Sequence, residues 1–95
     1  MDGPKILEVI ERYRKYFIEK GIGARDFPED GRPSSKEEIL AHCHGMLDKM
    51  VGFVKEGRIE KAFRWLGFVQ GCLWSTRQYS LEDLKSHNRP AEEVH

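Results

Sequence analysis

A chain of 95 residues with 16 basic and 16 acidic side chains has no formal net charge, which excludes the broad cationic footprint of a duplex-DNA-binding domain and leaves room only for a local basic patch. That length sets a single domain, residues 1–95, which buries roughly 60–65% of the surface its unfolded chain exposes and so has a small stability margin. Charged residues make up 34% of the sequence, which suits helices with solvated faces, and no apolar run approaches the ~20 residues a membrane span needs.

The first predicted helix covers residues 4–20. Asp2 or Gly3 can cap it, and Pro4 suits its first turn, where a missing N–H costs nothing. Ile6, Val9, Ile10, Tyr13, Tyr16 and Phe17 recur at three- and four-residue steps and form its apolar face. Gly21 offers the stop. Residues 21–34 read as a linker broken by three glycines and two prolines, with Ile22 and Phe27 as apolar pins. A connection that long is either a packed crossover or a functional loop.

The second helix is predicted over 35–56. Ser34 with Glu37, and Ser35 with Glu38, both have capping-box spacing. Ile39, Leu40, Cys43, Leu47, Met50, Phe53 and Val54 make its apolar face, and Gly57 ends it. A third helix, 58–76, follows at once, so the two must be antiparallel neighbours. Ser80 with Asp83 then opens a short helix over 81–88, which Asn88 and Pro90 stop, and the last five residues are expected to fray. The fold class is therefore all-α: three main helices and a short C-terminal one, centred on an antiparallel hairpin.

The third helix is apolar around too much of its circumference. Phe63, Leu66, Val69, Gln70 and Leu73 are assigned to one face, with Ile59 and Ala62 leading in, while Trp65, Phe68, Cys72 and Trp74 fall on others. Gly67 and Gly71 share one side, and each costs roughly 1 kcal/mol against alanine inside a helix. Close approach of another helix would compensate. That helix is either the first or the fourth of the same chain, or the third helix of a second copy. In the second case Trp65, Gly67, Phe68, Gly71, Cys72 and Trp74 form a homo-oligomer interface.

His42-Cys43-His44 is the one cluster of metal-ligand residue types. Adjacent helical residues diverge by roughly 100°, so the three do not converge on one ion, and no metal or cofactor is expected. Cys43 is assigned to the core with the histidines at its flanks. No acid, nucleophile or phosphate loop stands in a catalytic pattern, so the chain is read as a non-enzyme. Arg58, Lys61 and Arg64 follow a three-residue step along the third helix, with Arg77 and Arg89 further on and Arg25 and Arg32 in the linker. These basic residues are candidate ligand or partner contacts, able to hold phosphate or carboxylate beside Trp65. Alternatively they form a solvated face. Met1 to Lys5 have no targeting character, and two cysteines inside apolar patterns fit buried thiols in the cytoplasm.

Residues 56–74, Glu-Gly-Arg-Ile-Glu-Lys-Ala-Phe-Arg-Trp-Leu-Gly-Phe-Val-Gln-Gly-Cys-Leu-Trp, together with Tyr79–Lys85 and His87–Pro90, resemble small uncharacterised helical proteins encoded in bacteriophage and prophage genomes. The resemblance implies an accessory protein of the bacterial cytoplasm that binds and inhibits a host or defence protein. Two other readings stand beside it. One is an oligomeric sponge for a nucleotide or other small anion, and the other is a nucleic-acid-binding module.

Overall fold

The computed structural model describes residues 1–90; the predicted fraying of residues 91–95 lies outside the described residues. Four helices follow in chain order, α1 (Gly3–Glu19), α2 (Lys36–Lys55), α3 (Ile59–Ser75) and α4 (Leu81–Asn88), each within a residue or two of its predicted bounds. The starts are set by side chains. Asp2 Oδ1 accepts the Lys5 N–H at 2.9 Å, and Ser35 Oγ accepts that of Glu38 at 3.2 Å. The Glu38 carboxylate takes the Ser34 N–H instead of closing the box on Ser35. Ser80 and Asp83 form the reciprocal capping box, at 3.1 and 3.0 Å.

Three helices end in the same way. Gly21, Gly57 and Arg77 each take a positive φ (72°, 78° and 66°) one residue past the C-cap. In each case the two N–H groups that follow the cap turn back to carbonyls of the last turn, the Schellman arrangement. Glycine takes that conformation without penalty and arginine does not. Replacing Arg77 by Gly should therefore add about 1 kcal/mol and raise the thermal midpoint by about 4–8 °C. A calorimetric midpoint that stays put or falls would contradict this account of the turn.

α1 lies across the α2–α3 hairpin, and α4 returns to pack on α1. The core is made of Ile6, Val9, Ile10, Tyr13 and Phe17 from α1, Leu40, Cys43, Leu47 and Met50 from α2, and Ala62, Leu66, Val69 and Leu73 from α3. Leu84 and His87 close it from α4. Tyr13, Tyr79 and His87 meet edge to face or tilted, with ring centroids 4.8–5.9 Å apart, and seat α4 on α1.

Two expectations for α3 need correction. Phe63 does not share the inward face, because the arc set by Ala62, Leu66, Val69 and Leu73 is narrow and Phe63 lies outside it, 47% exposed. Gly67 and Gly71 do not admit α1 or α4 either. A Cβ at either position would meet nothing within 4 Å, so both glycines face open space. The close backbone approach is made by a different glycine, Gly45 in α2. A Cβ there would stand 2.6 Å from the Arg25 carbonyl oxygen in the crossover between α1 and α2.

Candidate functional site

The crossover, residues 20–35, is strapped along α2. The Arg25 N–H donates to the Ala41 carbonyl at 3.0 Å, beside Gly45. Two histidines hold the strap on either side. His42 Nδ1 accepts the Phe27 N–H at 3.2 Å, and His44 Nδ1 donates to the Ile22 carbonyl at 2.8 Å. A carbonyl only accepts and an N–H only donates, so the two rings carry opposite tautomers. His44 also stacks on Phe17, and His42 meets Phe27 and Phe68 edge-on. The His42-Cys43-His44 cluster thus pins a loop with its outer members, while Cys43 is buried in the core.

Cys43 contacts Cys72 of α3, and both thiols are free. Interaction with the neighbouring Cys72 thiol, and then burial, push the Cys43 thiol up from its ordinary range. A thiol so held is a small core side chain and a poor nucleophile.

The strap leaves a cleft between itself and the α2–α3 seam. One chamber, about 660 Å³, is walled by Phe27, His42, Met46, Trp65 and Phe68, with Asp26, Glu29, Lys49 and Arg64 at the rim. A second, about 420 Å³, continues past Phe27, His42 and Phe68 to Ile39, Cys72 and Ser75. These volumes lie in the range of small-molecule and peptide-anchor sites. Lys49 pairs with Asp26 across the rim at 3.1 Å, so the strap and α2 are tied there electrostatically.

Phe68 stands at the border between this cleft and the outward face of α3. Beyond it the face carries Gly67, Gly71, Phe63 and Trp74. Phe63, Phe68 and Trp74 are 47, 55 and 52% exposed. Single exposed apolar residues are ordinary, but α3 carries three half-exposed aromatics, with Phe63 and Trp74 toward one edge of its exposed arc, Phe68 at the other, and Gly67 and Gly71 between.

Of the six residues predicted to form an oligomer interface, Gly67, Phe68, Gly71 and Trp74 lie together on this outward face. Trp65 and Cys72 are turned toward α2. Trp65 packs edge-on against Phe53 at 4.8 Å, and Cys72 meets Cys43. Phe63, assigned to the core from sequence, takes their place on the surface. A helical wheel centred on the buried arc Ala62–Leu66–Val69–Leu73 places Phe63 outside.

The seven predicted basic contacts do not converge. Arg25 lies over Phe27 and reaches Glu38, while Arg32 is exposed on the crossover. Arg58 and Lys61 sit over the Phe53 ring, at 5.3 and 4.6 Å. Arg64 is at the cleft rim, Arg77 follows α3, and Arg89 pairs with Glu82 on α4 at 3.5 Å. Three of the seven are thus engaged with aromatic rings. The seven form no single stripe along the surface.

A further polar group escaped the sequence reading because its members are far apart in the chain. Gln70 Nε2 donates to the Tyr13 hydroxyl at 3.0 Å and to Asn88 Oδ1 at 2.7 Å, and Asn88 Nδ2 returns a bond to Gln70 Oε1 at 3.1 Å. The Tyr13 hydroxyl meets His87 Nδ1 at 2.8 Å. This network ties α1, α3 and α4 together. It is structural, beneath the surface rather than at the cleft.

No protein-family model, curated protein or solved structure matches the chain.

Proposed function

We propose that the protein is a non-enzymatic helical binding protein that acts by stoichiometric capture of another protein. One observation carries the reading: Phe68, half-exposed on α3, is also a wall of both chambers of the aromatic cleft under the crossover. Aromatic side chains supply most of the energy at protein interfaces, and here they are already held on rigid helices. The resemblance of residues 56–90 to phage and prophage proteins supports a bacterial host or defence protein as the partner and inhibition as the outcome.

The test compares the wild-type chain with Phe68→Glu as bait in a bacterial lysate. Phe68 is half-exposed, so the variant should keep its helical circular dichroism. The reading expects a partner that the wild type retains in near-equimolar amount and the variant loses, and that re-forms the complex when purified. Equal capture by both baits, or none by either, would refute it.

A second reading, the sponge for a nucleotide or other small anion, is supported by Arg64 beside Trp65 and Phe68 at the larger chamber. Its signature is a melting temperature that rises with one nucleotide, worth about 2.7 kcal/mol at a hundredfold excess over Kd. A flat response across nucleotides and cyclic dinucleotides removes it.

A further inference from the structure

We propose that the outward face of α3 is covered by a second copy of this chain, packed antiparallel about a two-fold axis at the level of Val69. The inference rests on the reading of this aromatic surface as a docking surface, and it divides that surface. The α3 face is for the second copy, and the cleft under the crossover is left for a foreign partner.

The face is shaped for close approach. Gly67 and Gly71 leave a flat strip with nothing within 4 Å of where a Cβ would be, so a second helix can come in to backbone distance. Phe63 and Trp74 stand along the strip and Phe68 beside it, all about half-exposed. With roughly 150–250 Å² per aromatic side chain, they offer on the order of 300 Å² of apolar surface per chain. That is a reasonable apolar centre for an interface of about 800 Å² per partner.

Charge decides the occupant and its direction. In an antiparallel pair centred at Val69, Gly67 faces Gly71 of the second copy. Arg64 and Trp74 lie equally far on either side of that centre, so each Arg64 meets the opposite Trp74, a cation–π pairing. Arg77, in the turn just past the end of α3, comes near the level of Glu60 of the second copy, and the two pair as opposite charges. All three contacts occur twice by symmetry, as an isologous interface requires. A parallel pair would instead set Glu60 against Glu60 and Arg64 against Arg64. Glu60, Arg64 and Arg77 are exposed and make no ion pair among the described residues, so their charges are available for this pairing. The face is thus complementary to itself turned end for end.

Sedimentation equilibrium on the full chain tests this, with charge variants that leave the core untouched. The wild type should have twice the 11.1 kDa mass of one chain at about 100 µM, a concentration that populates any dimer with micromolar Kd. Glu60→Arg and Arg77→Glu should each raise the dimer Kd by about tenfold or more, and the double variant should bring it back to within about threefold of wild type. Gly67→Leu should give a monomer with unchanged circular dichroism. A wild-type chain that stays monomeric overturns the proposal. So does a dimer that ignores Gly67→Leu, or a double variant no better than the singles. Capture of a foreign protein, measured on the same variants, reports separately. A wild-type monomer whose capture of a partner is still lost through Phe68→Glu overturns the self-association and leaves the binding function standing.

Discussion

Tyr13→Phe should cost about 1–3 kcal/mol, lower the thermal midpoint by several degrees, and loosen α4 far more than α1 or α2. The hydroxyl does two jobs. It accepts a hydrogen bond from the Gln70 Nε2–H and, since that oxygen's own proton must go elsewhere, donates to His87 Nδ1. Removing it strips both partners inside a site where Tyr13 is fully buried and His87 nearly so. Burial pushes the Tyr13 phenol up to about 12, so it is a neutral donor throughout the physiological range. The same geometry fixes a pH response. Burial, then the nearby Arg12 charge, hold His87 below its ordinary value, with Lys5 acting the same way and Asp83 opposing. A histidine whose folded pKa is lowered binds fewer protons in the native state than in the unfolded one. Its contribution to stability is therefore present above the unfolded value of about 6.5 and is lost as pH falls from there through the folded pKa. Urea melts between pH 7.5 and 5 should show stability declining in that direction. In Tyr13→Phe the decline should be shallower, because neutral His87 no longer has a donor to lose. Hydrogen exchange should find the α4 amides exposed first at low pH. A pH profile unchanged by Tyr13→Phe would mean that His87 does not accept the phenol proton.

This network marks the limit of what the sequence could disclose. Helix starts were legible because a cap is a local event: Asp2, Ser35 and Ser80 each bond a backbone N–H three residues on. The stops at Gly21 and Gly57 were legible for the same reason. Arg77 was not, since nothing in its chemistry announces a left-handed residue, and only the chain's need to turn into α4 holds it there. Gln70 read as one polar residue in an apolar helix. Its partners Tyr13 and Asn88 lie 57 and 18 positions away in the chain. The two glycines of α3 illustrate a different limit. Helical spacing correctly put Gly67 and Gly71 on one side, but periodicity says which residues share a side and not which side the rest of the chain covers. The buried arc of α3 was decided by α1 and α2, and it excluded both glycines and Phe63. The same holds for the cleft. Phe27 could be read as a pin, but its place over His42 and Phe68 depends on a strap whose position is set by α2.

That strap gives the sharpest contrast in the molecule, because one substitution made at three glycines should have opposite signs. Gly67→Ala and Gly71→Ala sit in open space on a helix, so each should stabilise a monomer by about 1 kcal/mol through helix propensity alone. Gly45→Ala carries the same propensity gain, yet its new methyl would lie 2.6 Å from the Arg25 carbonyl oxygen, 3.1 Å from its carbon and 3.3 Å from its nitrogen. All three are backbone atoms, and none can rotate away. Relief requires the crossover to lift from α2. Lifting lengthens the bond from the Arg25 N–H to the Ala41 carbonyl and disturbs those from Phe27 to His42 and from His44 to Ile22. Overfilling of this kind costs about 1–3 kcal/mol, or more where hydrogen bonds go with it, which outweighs the propensity term. Gly45→Ala should accordingly unfold at lower urea than wild type, and a protease should cut its crossover sooner. Its effect on binding separates the two halves of the surface. Phe63, Gly67, Gly71 and Trp74 line neither chamber under the strap, so self-association through them should persist. The cleft loses the wall carrying Phe27, so capture of a foreign protein should weaken. If Gly45→Ala instead stabilises the chain as Gly67→Ala does, the crossover does not rest on α2 at Arg25, and the cleft as a preformed site goes with it.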